Sequence, residues 1–113
     1  MKEYALHLEL KNDDALIAQY EEHHRNVWPQ VIAAIKHVGI LEMKIYRWHN
    51  RMFMLMRTAD DYDMHQAADY FNGHAKSVEW EALMDNFQQR LPGGLLEQKW
   101  QPLQCCFDLQ EFT

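Results

Sequence analysis

The sequence predicts an α+β fold, an antiparallel sheet with helices packed on one of its faces. Three observations carry this. The chain opens on strict alternation, with Tyr4, Leu6, Leu8 and Leu10 set against Ala5, His7 and Glu9. That is the period-two signature of a half-buried strand. Two further β-type runs, ILEMKIYRW (40–48) and MFMLMRT (52–58), lie close together across HNR, the spacing of a hairpin. The stretches before and after the hairpin instead repeat their apolar residues at helical spacing.

The elements follow in order. NDD at 12–14 supplies a helix N-cap, and Leu16, Tyr20 and His24 then recur at i, i+4 and i+8 on one helix face. Pro29 has no amide hydrogen to donate and suits the first turn of a new helix. Val31, Ile32 and Ile35 give that helix an apolar face, and Gly39 stops it. After the hairpin, Asp60 and Asp61 are expected to cap another helix, which Asn72-Gly73 interrupts. Trp80, Leu83, Met84 and Phe87 then form an i, i+3, i+4, i+7 stripe that ends at LPGG (91–94). PLQCCFDL (102–109) alternates again and is expected to be a final strand. Strand, helix, strand, strand, helix, strand is the split β-α-β order of the ferredoxin-like fold. Such a sheet leaves one face bare, and a single chain has nothing left to cover it. A second copy packed sheet to sheet would do so, giving a homodimer of the dimeric α+β barrel type.

Composition bounds the function. At 113 residues the chain is expected to form a single domain, 1–113. Its apolar content of 48% and charged content of 25% are those of a globular protein. A formal charge of −6 argues against nucleic acid as a partner. No apolar run approaches the roughly 20 residues that span a bilayer, so no membrane partner is expected. MKEYALHLEL alternates too strictly to be the apolar centre of a signal peptide. Cys105 and Cys106 are adjacent, and in a strand would point to opposite faces, which disfavours a mutual bridge. Free thiols and no export signal place the expected location in the cytoplasm.

Motifs for metals and cofactors are missing: there is no HExxH, paired CxxC, P-loop or GxGxxG. Of seven histidines, no two stand at i, i+4 on a helix, so no metal is expected. Neither cysteine has the context of a nucleophile. Tyr20 and His24 differ from the rest, because their spacing stacks them on one helix face just before the break at Trp28-Pro29. An imidazole there can exchange a proton near neutral pH, and a phenol can orient a hydroxyl. On spacing alone the plainer reading, a hydrogen-bonded core histidine beside a space-filling tyrosine, is the stronger of the two. His23, about 100° further round the helix, reads as solvated surface. Trp28, Trp80 and the Met52, Met54, Met56 series read first as packing residues.

YEEHHRNVWPQV (20–31) resembles the Tyr-x-x-x-His-x-x-x-Trp-Pro signature of the sugar mutarotases of the L-rhamnose and L-fucose type. The similarity continues through GILEMKIYRWHNRMFMLM, WEALMDNFQ and EQKWQPLQCCFDL, and so spans nearly the whole chain. It implies a ferredoxin-like, dimeric isomerase that needs no cofactor. His24 falls on the family's catalytic histidine, its proton donor, and Tyr20 on its sugar-binding tyrosine. Trp80 falls on the first of two adjacent tryptophans that contact sugar in the rhamnose enzymes. Glu81 stands in place of the second, and Met43 in place of a strand tyrosine. EMKIYR, WEALM and KWQPL…FDL are more similar to the L-fucose branch, which the resemblance therefore favours, with L-rhamnose as the alternative.

The implied reaction is exchange of α and β anomers by ring opening and reclosure. Opening removes a proton from O1 and delivers one to the ring oxygen. His24 would serve one role, and water or another residue, Glu81 among them, the other. Two readings from other classes remain: a cofactor-free small oxygenase and a ligand-binding module without chemistry. A pocket with several polar groups would favour the sugar, a wholly apolar one the oxygenase, and no pocket the module.

Overall fold

The opening alternation becomes strand β1, Lys2–Leu10, in which Leu6, Leu8 and Leu10 are buried while His7 and Glu9 lie on the opposite face. The computed structural model describes residues 1–94 and 98–112. After β1 come helices α1 (Asp14–Arg25) and α2 (Pro29–His37), and then the hairpin β2 (Ile40–Trp48) and β3 (Arg51–Thr58). Helices α3 (Met64–Gly73) and α4 (Ala75–Met84) follow, then two short strands, β4 (Gln88–Gln89) and β5 (Gln101–Pro102). A 3-10 turn spans Leu109–Phe112.

The sheet runs β2-β3-β1-β4 with all pairs antiparallel, and β5 shares with β4 the free edge of β1. This is the ferredoxin-like order. Register sets which residues look inward. Leu6 opposes Met54 and Leu8 opposes Met52, so the leucines of β1 and the methionines of β3 form one continuous apolar face. One core cluster joins Leu8, Leu10 and Met52 to Ile17 and Tyr20 of α1, Val31 of α2, Trp80 and Met84 of α4, and Phe87. A second joins Leu6, Met54 and Met56 to Ile40, Tyr62 and Ala67. All four helices thus lie on one sheet face. The other carries Glu3, Arg57 and Glu42 in ion pairs, with Tyr46, Trp48 and Phe53 exposed among them.

Two helix boundaries differ from expectation. The cap of α3 is Asp63, whose carboxylate accepts from the amides of His65 and Gln66, and not Asp60 or Asp61. Tyr62 is buried in the second cluster, and a turn closed from Tyr62 N to Ala59 O puts the two earlier aspartates outside the helix. Helix α4 stops at Met84, well before LPGG. A tight turn, Phe87 N to Met84 O at 2.9 Å, still delivers Phe87 into the core, so the apolar stripe outlasts the helix.

The largest difference is the final strand. Only Gln101 and Pro102 pair with β1, followed by one more bond from Leu103 N to Ala5 O. The alternating residues beyond are solvent-exposed, Phe107 at 68%. Alternation signals a strand with one face buried, and among the described residues neither face of this segment is buried.

Candidate active site

The break between α1 and α2 shapes the site. Asp13 caps α1, accepting from Leu16 N at 3.0 Å. The helix ends at Arg25, and Pro29 then fixes the first turn of α2. Tyr20 and His24 lie one turn apart near the end of α1 with ring centroids 4.3 Å apart. Between this end of α1 and the sheet lies a cavity of about 220 Å³. That is below the range of about 300–1,000 Å³ typical of drug-sized ligands and suits a smaller one. Helix α1 lines it with Tyr20, Glu21, His24 and Arg25, and the sheet with Ile45, Arg47 and Met52.

The hydrogen bond of His24 defines its chemistry. Nδ1 lies 2.9 Å from the backbone carbonyl of Tyr20. A carbonyl only accepts, so Nδ1 carries the hydrogen, and in the neutral ring Nε2 keeps its lone pair. Burial lowers the pKa of His24 from the ordinary histidine value, opposed by this carbonyl bond and the Glu81 charge. Trp80 meets the imidazole edge-on at 5.5 Å and packs against Trp28 at 5.3 Å. His24 is thus clamped between Tyr20 and Trp80.

Tyr20 is buried, and desolvation pushes its phenol up to about 12. It therefore stays protonated at neutral pH and acts by hydrogen bonding. Its partner is the side chain of Gln88. Lys99 donates to the Gln88 oxygen at 3.0 Å and pairs with Glu81 at 2.6 Å and Asp85 at 2.9 Å. A polar chain thus runs from Glu81 through Lys99 and Gln88 to the Tyr20 hydroxyl.

The five residues singled out in the sequence are therefore placed unequally. Tyr20 and His24 line the cavity. Trp80 is buried behind His24, Glu81 is held by Lys99 at the far end of the polar chain, and Met43 packs on the second core cluster. His23 is not solvated surface: its ring tilts against Phe87 at 5.4 Å and meets Trp80 edge-on at 6.4 Å. These contacts set the His23 side of α1 against Trp80 of α4 and Phe87 beyond it. Arg47 and Glu21 were missed. Arg47 Nη2 lies 2.8 Å from the Glu21 carboxylate, and its Nη1 donates to His49 O at 2.7 Å. The signal was available, since Met43, Ile45 and Arg47 alternate on the helix-facing side of β2 and an arginine there is out of pattern.

Comparison with known proteins places the chain in a family. The family model described as L-rhamnose mutarotase matches residues 3–109. The chain belongs to the L-rhamnose mutarotase family. An L-fucose mutarotase of Xanthomonas campestris pv. campestris is 43% identical over 106 residues, covering 92% of this chain and 85% of that protein. An L-rhamnose mutarotase of Formosa agariphila superposes with a TM-score of 0.71 at 19% identity, over 96% of this chain and 99% of that one. The tetracenomycin F2 cyclase of Streptomyces glaucescens superposes with a TM-score of 0.59 at 14% identity, over 96% and 98%. These two structures share the ferredoxin-like fold of the mutarotase-family chain. Among the described residues no group of three or more His, Cys, Asp or Glu side chains is placed to hold a metal ion.

Proposed function

We propose that this protein is a mutarotase, an isomerase that exchanges the α and β anomers of a 6-deoxy-hexose, L-fucose in preference to L-rhamnose. The observation that carries the reading is the neutral His24 imidazole, tied at Nδ1 to a carbonyl and lining a small cavity in a mutarotase-family chain. Nε2 takes the O1 proton as the C1–ring-oxygen bond breaks and water delivers a proton to the ring oxygen; on reclosure that hydroxyl gives its proton back to water and the imidazolium returns one to O1. The protonated Tyr20 phenol orients a sugar hydroxyl. Trp80 holds the imidazole in place and offers an aromatic edge beside it. Polar lining by Tyr20, Glu21, His24, Arg25 and Arg47 favours a sugar over the apolar ligand of a small oxygenase, and a formed cavity disfavours a module without chemistry.

Sugar choice is read partly from behind the cavity. Glu81 reaches the Tyr20 hydroxyl through Lys99 and Gln88, and Met43 sets the strand two residues from Ile45. L-Fucose and L-rhamnose differ in configuration at C2 and C4, and a mismatched buried polar group costs about 1–3 kcal/mol. Saturation-transfer NMR with a panel of 6-deoxy sugars should show faster exchange for L-fucose than for L-rhamnose. Glu81→Trp should narrow the gap. The reverse preference in the unmodified protein would refute the L-fucose assignment.

The protein is also proposed to be a homodimer. Tyr46 and Phe53 are cross-strand partners on the sheet face that carries no helix, with Trp48 beside them, and all three are exposed. Leu103, Phe107, Leu109 and Phe112 add further exposed apolar area. Sedimentation at micromolar concentration should give about twice the 13.6 kDa chain mass. A folded monomer would contradict the dimer. The exposed free thiols of Cys105 and Cys106 support a reducing compartment, the cytoplasm.

A further inference from the structure

Arginine and glutamate inside the cavity need a reason. Arg47 takes an inward-facing position of β2, in line with Met43 and Ile45, at the end of the sheet where the cavity opens. Its guanidinium is fixed by the Glu21 carboxylate on one side and the His49 carbonyl on the other. His49 sits in the hairpin turn with a positive φ of 53°. An ion pair as exposed as this one contributes little to stability, so its stability value does not account for a charge at an inward register. Five N–H donors radiate from a guanidinium, and the two contacts hold the group in place without using all of them.

We propose that Glu21 and Arg47 together read a vicinal diol of the sugar while His24 acts at the anomeric centre, a proposal that rests on the mutarotase reading above. The pair presents an acceptor and a donor 2.8 Å apart. Two gauche hydroxyls on adjacent carbons are separated by about one hydrogen-bond length, so one can donate to Glu21 while its neighbour accepts from Arg47. The charge balance supports a neutral diol over an acid or a phosphate. Arg47 is paired with Glu21, and Arg25, the other cation lining the cavity, is paired with Glu22 at 2.6 Å. The lining therefore offers directional donors and acceptors without a net positive field.

The test is anomer exchange by saturation-transfer NMR with L-fucose and its 2-, 3- and 4-deoxy analogues, on the unmodified protein, Arg47→Met, Arg47→Lys and Glu21→Gln. Arg47→Met should raise KM for L-fucose by about 10–100-fold, the range of a lost hydrogen-bonded contact, with the loss in KM rather than in kcat. The deoxy analogue that lacks the hydroxyl read by Arg47 should already be poor for the unmodified protein and lose little more with Arg47→Met. Arg47→Lys, which keeps the charge but not the fork, and Glu21→Gln, which keeps the shape but not the charge, should fall between. A purely structural pair, pinning the hairpin turn to α1, would lower the melting temperature equally for every sugar and leave the deoxy pattern unchanged. That result, or an unchanged KM in a folded variant, would overturn the proposal. If Arg47→Met fails to fold, Glu21→Gln and Arg47→Lys decide by the same criterion. An unmodified protein that accelerates exchange of no sugar in the panel overturns the mutarotase reading and this proposal with it.

Discussion

His24→Ala should slow the accelerated anomer exchange by about 10²–10⁴-fold, the usual contribution of a positioned general acid-base group. The fold should survive the change. The imidazole is only half-buried, its hydrogen bond stays within its own helix, and no other strand or helix depends on that bond. The pH dependence provides a second readout. Burial is the dominant influence on His24 and lowers its pKa, so the neutral ring persists to more acid pH than a free histidine would allow. Only the neutral ring has the Nε2 lone pair, so exchange should fall as pH drops through a value below the ordinary 6.5. The same shift acts on stability. The unfolded chain takes up the proton first, so stability is lost as pH falls from about 6.5 toward the folded value and is unaffected above it. His24→Ala should remove the acid limb of the activity profile as well as most of the rate. Unchanged exchange in a folded variant would make His24 a packing residue.

Leu8→Ala should destabilise the protein by about 2–5 kcal/mol, the range for truncating a fully buried leucine. Leu8 is 0% exposed, in the central strand, opposite Met52 and among the residues shared by α1, α2 and α4. Its neighbours are anchored to four different elements and cannot all collapse into the space left behind. Against a typical total of about 5–15 kcal/mol, such a loss should move the urea midpoint far down at fixed protein concentration. A shift corresponding to under about 1 kcal/mol would mean that the core is not organised around β1 as described.

Period-two and helical spacing, together with cap and breaker residues, were enough to read β1, both long hairpin strands and helices α1 to α4, because each buries one face against a surface of the same chain. Leu6, Leu8, Leu10 and the methionines of β3 announce that burial directly. The segment after Pro102 alternates just as clearly, yet its residues are exposed, and no local pattern says whether an alternating run is buried. Boundaries failed for a different reason. Asp60, Asp61 and Asp63 are all competent caps, and only the burial of Tyr62 selects the third.

The site was half legible. The i, i+4 pair of Tyr20 and His24 needs only α1 to exist, so spacing alone brings the two together. The Glu21–Arg47 contact joins α1 to the far end of β2, and the chain from Glu81 to Tyr20 passes through Lys99 and Gln88. Such contacts depend on how the elements pack, which neither periodicity nor spacing encodes. Met43 is the converse case. This position, for which the resemblance implied a sugar contact, lies on the second core cluster and outside the cavity lining, because the inward face of β2 extends past the site.

The most direct test of the account is saturation transfer between the α- and β-anomer resonances of L-fucose, with the unmodified protein and His24→Ala measured side by side at the same micromolar concentration. Transfer well above the uncatalysed exchange in the first, and reduced at least a hundredfold in the second, is the expected result. Transfer with the unmodified protein no greater than in buffer alone would contradict it.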